Sequence, residues 1–142
     1  MKYLLDTNVY LDASRSELRR EQFRATFFPL LPATYLSAVV AYELMVNAVD
    51  RRSRAKVEDF TRPLEQAGRV VTPTFDDWTE AATVVTAIEF RDRGWRSKLP
   101  ALLNDILIAL SARRVGATVL TRNRDDFLLI RRHTGFSLRV LA

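Results

Sequence analysis

An α/β fold, with a central, mainly parallel sheet flanked by helices on both faces, is what this sequence predicts, and three observations predict it. Short apolar runs alternate with longer stretches of helical period, the pattern of strands joined by helical crossovers. The runs are continuous rather than alternating polar and apolar, as in strands covered on both faces. The chain has 142 residues, 48% of them hydrophobic, enough to bury one core. No linker, repeat or low-complexity segment divides it, so residues 1–142 are read as a single domain.

The elements follow in order. Tyr3, Leu4 and Leu5 open the chain as a buried strand. Ser14 and Glu17 form a capping-box pattern that predicts a helix over about residues 15–28, ahead of Pro29. Residues 33–36 read as a second strand and residues 38–48 as an apolar helix. The polar stretch 50–56 reads as a turn. Val57, Phe60 and Leu64 keep helical spacing, with Pro63 expected to kink or split the segment and Gly68 to stop it. Val70 and Val71 form a brief strand. Thr74 and Asp77 make a second capping box; Phe75, Trp78, Ala82, Val85 and Ile88 follow a 3.6-residue period, and Gly94 stands where a C-terminal glycine belongs. Residues 102–113 are a strongly apolar helix, and Gly116 leads into a strand at 117–120. A short helix over 125–131 and a strand over 137–141 complete the chain.

Composition narrows the chemistry. The net charge is +5, with arginine supplying nearly all the basic side chains, and the pI is about 10.1. Arginine reads phosphate through a bidentate fork, so the excess favours a polyanionic partner such as nucleic acid; a basic surface kept for solubility is the plainer alternative. There is no cysteine and one histidine. That excludes disulfides, thiolate zinc sites and histidine metal clusters, and it fits a reducing cytoplasm. No apolar stretch reaches the about 18 residues of a membrane span. Asp6 comes too early for a signal peptide.

Three carboxylates stand in apolar company. Asp6 follows the first strand, Glu43 lies inside the apolar run 38–46, and Asp105 lies inside 102–108. Each has an ordinary structural role open to it: Asp6 as a helix cap, Asp105 as a partner of a helix dipole, Glu43 on a polar face or beside an arginine. A shared role is also open. Ligands of parallel sheets bind beyond the carboxyl ends of the strands, and Asp6 is at such an end. Helices starting near Ser37 and Asn104 would bring Glu43 and Asp105 to the same edge about one turn in. If the three acids converged within about 5 Å, each pair would repel by about 3 kcal/mol at an effective dielectric of about 20. The total of about 10 kcal/mol rivals the stability of a small domain, and a divalent cation would remove it. Oxygen ligands alone point to Mg²⁺, or Mn²⁺, rather than zinc.

Four segments resemble the motifs of PIN domains. These are Leu4-Leu5-Asp6-Thr7-Asn8-Val9, Ser37-Ala38-Val39-Val40-Ala41-Tyr42-Glu43-Leu44, Asn104-Asp105-Ile106-Leu107-Ile108-Ala109 and Thr121-Arg122-Asn123-Arg124-Asp125-Asp126-Phe127. They occur in order, at the usual spacing, over the whole chain. The length resembles that of VapC-type toxins of bacterial toxin–antitoxin pairs. The resemblance implies a PIN-like fold, with Asp6, Glu43 and Asp105 as the metal-holding acidic cluster. It implies Thr7, Asn8, Ser37 and Thr121 as residues that shape the site. Where many relatives have an aspartate, this chain has Asn123, a neutral oxygen ligand at best, which leaves Asp126 as an outer acid. The resemblance further implies RNA as substrate, a cognate antitoxin protein, and a homodimer through the helices around residues 42–49 and 75–88.

The expected chemistry is divalent-metal-assisted hydrolysis of a phosphodiester. No serine or cysteine triad can be assembled, and no glycine-rich phosphate loop occurs. His133, in a basic tail, reads as a surface residue. Arg91, Arg93, Arg96, Lys98, Arg122 and Arg124 are the candidate phosphate contacts, and each could equally be a solvated surface charge. Trp95 among them could stack on a base, or anchor the core. Two other functions share these features: a metal-dependent DNase or phosphodiesterase outside a toxin system, and a non-catalytic RNA-binding module.

Overall fold

The structure is a computed structural model that describes all 142 residues, Met1–Ala142. Five strands form one parallel sheet in the order β3-β2-β1-β4-β5: β1 (Lys2–Leu5), β2 (Thr34–Ser37), β3 (Val70–Val71), β4 (Ala117–Thr121) and β5 (Leu138–Val140). Seven α-helices surround it: α1 (Thr7–Ala13), α2 (Glu17–Phe27), α3 (Ala38–Asn47), α4 (Arg51–Gln66), α5 (Phe75–Arg91), α6 (Leu99–Val115) and α7 (Arg124–Arg131). From β1 the chain first builds outward through β2 and β3, then returns to β1's other side for β4 and β5. Right-handed crossovers running in these two directions lie on opposite faces of the sheet. The packing agrees: α1 contacts α2 and α3, α3 contacts α4, and α5 and α7 both pack on α6. No helix is long and apolar enough to cross a membrane.

The core explains the central position of α6. Leu102, Ile106, Leu107, Ile108, Ala109, Leu110 and Ala112 are all buried, so this helix is apolar on every side and is wrapped by its neighbours. Leu4, Val119 and Leu120 supply the sheet's share, and Phe127 and Ile130 on α7 close the outer side. Gly116 ends α6 in the left-handed region at φ 72°, which lets the chain turn straight into β4. Under α1, Tyr10, Phe23, Phe27 and Phe60 form an aromatic cluster with ring centroids 4.9–6.0 Å apart.

Several local expectations are corrected. A separate helix, α1, occupies residues 7–13, where the sequence offers too short an apolar run to show a period. Ser14 ends α1 rather than starting α2; the cap of α2 is Ser16, whose hydroxyl accepts from the Arg19 N–H. The expected turn at 50–56 is the start of α4, capped by Asp50, and the helix runs through Pro63 to Gln66. The cap of α5 is as expected, with Thr74 and Asp77 bonded reciprocally. Its buried face is as expected at Ile88 and in part at Val85, but not before them: Asp77, Ala81 and Val84 point inward, while Phe75 is 80% and Trp78 51% exposed. Gly94 lies within a 3₁₀ turn, Arg93–Lys98, and α5 ends at Asp92 instead.

Candidate active site

The chain reverses direction across the sheet at β1, so the crevice of the fold lies beyond the carboxyl ends of β1 and β4. Asp6 is the first residue past β1, and its N–H donates to the Leu120 carbonyl at 2.9 Å. Its Oδ1 accepts from the Thr7 N–H at 2.8 Å, which caps α1, so the structural role open to Asp6 is filled. Its Oδ2 accepts from the Thr121 hydroxyl at 2.7 Å. Thr121 is fully buried at the end of β4, and its oxygen in turn accepts from the Asn123 N–H at 2.9 Å and the Asn8 amide at 3.4 Å. Asn8 Oδ1 accepts from the Arg122 N–H at 3.2 Å. One set of hydrogen bonds therefore ties the ends of β1 and β4 around Asp6.

Glu43 reaches this edge from α3. Ser37, fully buried, caps that helix by accepting from the Val39 and Val40 N–H groups. Glu43 is half-buried; its Oε1 accepts from the Thr7 hydroxyl at 2.7 Å and its Oε2 from the Asn104 amide at 3.5 Å. Asn104, whose only sequence signal was its place beside Asp105, is thus the residue that joins α6 to α3 here. Asp105 lies nearly two turns into α6 rather than one, because that helix starts at Leu99. Asp126, half-buried on α7, accepts from the Asn123 side-chain amide at 2.8 Å.

The electrostatics single out two acids. Asp105 is 9% exposed. Burial, and then repulsion from Asp6, Glu43 and Asp126, push its carboxyl up to about 9, with no hydrogen bond to offset them. Asp6 is 4% exposed, and burial raises it to about 6 although Thr121 and the Thr7 N–H pull it down; Glu43 and Asp126 add to the rise. The ion pairs of the structure include none of these four acids; they draw on Asp12, Glu58, Asp77, Glu80, Glu89 and Asp92.

The carboxylates share one field without forming a finished cage. No three or more of them are gathered as a ready metal-binding group, so the close convergence expected from the sequence is absent in this arrangement. Glu43 turns to the Thr7 hydroxyl and the Asn104 amide, and Asp6 to Thr121. The donor set nonetheless suits a hard divalent cation, because two buried, mutually repelling carboxylates have no basic side chain to compensate them.

The expected phosphate contacts are spread over two places. Arg91 ends α5, while Arg93, Arg96 and Lys98 lie on the 3₁₀ turn before α6, all exposed. Arg96 is 3.3 Å from Glu89, and Lys98 stands 5.0 Å over the half-buried Trp95 ring, which packs against the core. Arg124 is exposed at the start of α7. Arg122 is engaged in the fold, 3.6 Å from Asp12 and donating to the Ala142 carbonyl. His133 is not the surface residue expected: its side chain is 9% exposed and its Nε2 lies 3.2 Å from Asp92.

Comparison with known proteins agrees with this geometry. The family profile described as PIN domain matches residues 3–132. A search of curated proteins finds no match. Among solved structures, VapBC2 from Rickettsia felis bound to a DNA fragment from its promoter aligns over 100% of both chains, at 20% identity and a TM-score of 0.67. DNA-bound VapBC from Salmonella typhimurium aligns over 99% of this chain and 98% of that one, at 23% identity and a TM-score of 0.68. VapBC-1 from nontypeable Haemophilus influenzae aligns over 99% and 98%, at 22% identity and a TM-score of 0.63. At these identities the structures speak for the fold.

Proposed function

The chain belongs to the PIN-domain family, and on that premise we propose that it is a divalent-metal-dependent endoribonuclease, the toxin of a toxin–antitoxin pair. The observation that carries the reading is the pair Asp6 and Asp105: buried at the crevice of the sheet, repelling one another, and given no cation by the fold. Asp6 and Asp105 are the residues to hold Mg²⁺ or Mn²⁺, with Glu43 completing the set. When bound, the metal supplies Lewis-acid stabilisation of the charge that develops on the phosphodiester.

This chain's residues do the rest. Thr121 and the Thr7 N–H hold the Asp6 carboxylate in one orientation. Glu43 is the most accessible of the three acids, and its Oε2 is held only loosely by Asn104 at 3.5 Å. In this reading that oxygen accepts a hydrogen bond from the attacking water and takes its proton. Asn123 carries no charge to contribute; it steadies Asp126, which adds negative potential at the edge. Arg91, Arg93, Arg96, Lys98 and Arg124 bind the phosphates of the strand, with Arg122 contributing less because it is already engaged.

The remaining partners follow the same reading. A cognate antitoxin protein holds the enzyme inactive in the cytoplasm, in line with the VapBC structures that share the fold. The whole chain acts as one domain. A homodimer forms through exposed apolar residues on and just after α3 and on α5: Tyr42 and Val46 are 64% and 60% exposed, Val49 past the end of α3 is 89% exposed, and Phe75 is 80% exposed.

The test is cleavage of matched single-stranded RNA and DNA oligonucleotides with Mg²⁺, with EDTA, and by Asp105→Asn. RNA cut only by the parent and only with metal is the expected result. Cleavage of DNA alone would make the protein a DNase, and cleavage that survives EDTA or the substitution would overturn the metal reading.

A further inference from the structure

We propose that His133, the chain's one histidine, is a positioning residue for the cationic turn: through Asp92 it fixes where α5 stops and where the turn begins. That the turn binds RNA rests on the reading just given; that His133 anchors it does not.

Asp92 is the joint between α5 and the turn. Its N–H donates to the Ile88 carbonyl at 2.8 Å, closing the helix, while its own φ of −123° and ψ of 59° are not helical. Its carbonyl accepts from the Trp95 N–H at 2.9 Å, opening the 3₁₀ turn. Its carboxylate is held from outside both elements. Oδ2 lies 3.2 Å from His133 Nε2, and since a carboxylate only accepts, the ring nitrogen donates. Arg132 also approaches, but at 3.8 Å and 69% exposed it contributes little. His133, 9% exposed, is the strong member of the pair.

The same loop grips α5 at a second point. The Thr134 hydroxyl donates to Glu80 Oε2 at 2.8 Å and accepts from Arg113 at 3.0 Å. Glu80 and Asp92 are about 18 Å apart along a helix of 1.5 Å rise. These two contacts tie α5 to the loop after α7 at both ends of that span. The turn needs such a hold. Arg93, Arg96 and Lys98 crowd three like charges into it, with Arg91 just ahead; of the two acids beside them, Glu89 faces Arg96 and Asp92 is taken up by His133. A turn set in place before the substrate arrives spares the cost of ordering it on binding.

The experiment compares His133→Ala, His133→Gln and Arg96→Ala, each in the Asp105→Asn background for RNA binding and alone for cleavage. The probe is a labelled single-stranded RNA of mixed sequence, titrated over a range of salt. His133→Ala should weaken binding about three- to ten-fold, the cost of ordering one or two side chains. Its salt slope should equal that of its parent, because no phosphate contact is removed. KM should rise by the same factor with kcat within about two-fold. His133→Gln, which places an amide nitrogen near the Nε2 position, should restore most of the loss. Hydrogen exchange of residues 92–98 should quicken in His133→Ala. A slope flattened by one contact's share would mean that His133 itself touches phosphate and would overturn the positioning role. Unchanged exchange at 92–98 would overturn the anchor, whatever happens to binding. Parent-like binding by His133→Ala, with Arg96→Ala impaired, would show that the anchor does not serve the substrate. Faster exchange with parent-like binding by both variants would place the failure in the RNA reading of the turn and leave the anchor standing.

Discussion

Asp77 and Asp105 are both buried, on helices that pack against each other, yet their surroundings are opposite. Asp77 is 6% exposed; its Oδ2 accepts from the Thr74 N–H at 2.9 Å and from Arg114 Nε at 3.2 Å. Glu80, three residues on, meets Arg113 at 2.7 Å and Thr134 at 2.8 Å, and these bonds hold its carboxyl below the usual range. Asp105 has no such donor and faces three other acids. A carboxylate kept for architecture arrives with its own cation. Asp105, at the crevice of a parallel sheet, has none, and that is the contrast on which the proposed metal site rests.

The comparison breaks most clearly through two matched substitutions. Asp105→Asn should cut RNA cleavage by about 10³-fold, some 4 kcal/mol of lost transition-state stabilisation, with the fold intact. Asp77→Asn should leave cleavage within a few-fold and destabilise by about 1–3 kcal/mol, because it weakens a cap and strands Arg114. Initial rates and urea midpoints separate the two; an equal loss of activity in both would erase the distinction.

A smaller effect concerns pH. In the fold the Asp105 carboxyl is raised from 3.8 to about 9, and that of Asp6 to about 6. The folded chain therefore keeps protons that the unfolded chain has already released, so metal-free stability is greatest below about pH 4 for these groups and falls as pH rises toward 9. In EDTA the melting temperature of the parent should drop between pH 5.5 and pH 8.5 more steeply than that of Asp105→Asn, and Mn²⁺ should reverse the drop in the parent alone. Parallel curves for the two proteins would remove Asp105 as the source.

The smallest effects lie on the paired side. Arg113→Gln should cost less than about 1 kcal/mol, since both it and Glu80 are well exposed and such pairs are weak. Arg114→Gln should cost more, because Asp77 is only 7% exposed in its side chain and would keep a buried charge alone. Thermal melts at low and high salt check the order; a reversal would show that Asp77 does not depend on Arg114.

The acids of the crevice were legible because a carboxylate inside an apolar run is an anomaly that survives any assignment of the flanking elements. The same logic misled at α5. Its period was legible, its phase only toward Val85 and Ile88: at the start of the helix Phe75 and Trp78 drew the apolar stripe outward, while the inner face there holds Asp77, whose partner Arg114 is 37 residues away. Nothing local announces a pair made across that distance. His133 was misjudged for the same reason, its partner Asp92 lying 41 residues back. The α2 cap was misassigned to Ser14 because Glu17 completes a capping box with it, whereas Ser16 has Arg19 three residues on; Ser14 is instead used up in ending α1. Glu43's half-buried place, by contrast, followed from the apolar helix that carries it.

The pairing of β1 with β4 also sets an order of events during synthesis. Leu5 lies opposite Leu120, and Asp6 is held by Leu120 and Thr121 from the far end of the sequence. A ribosome that has delivered the first hundred residues has delivered Asp6 and Glu43 but neither Asp105 nor the strand that orients Asp6. Closing so long a loop is also the slow part of folding. The crevice thus cannot be assembled until the chain has been made through Thr121, with only the residues after it, α7 and β5 among them, still to come.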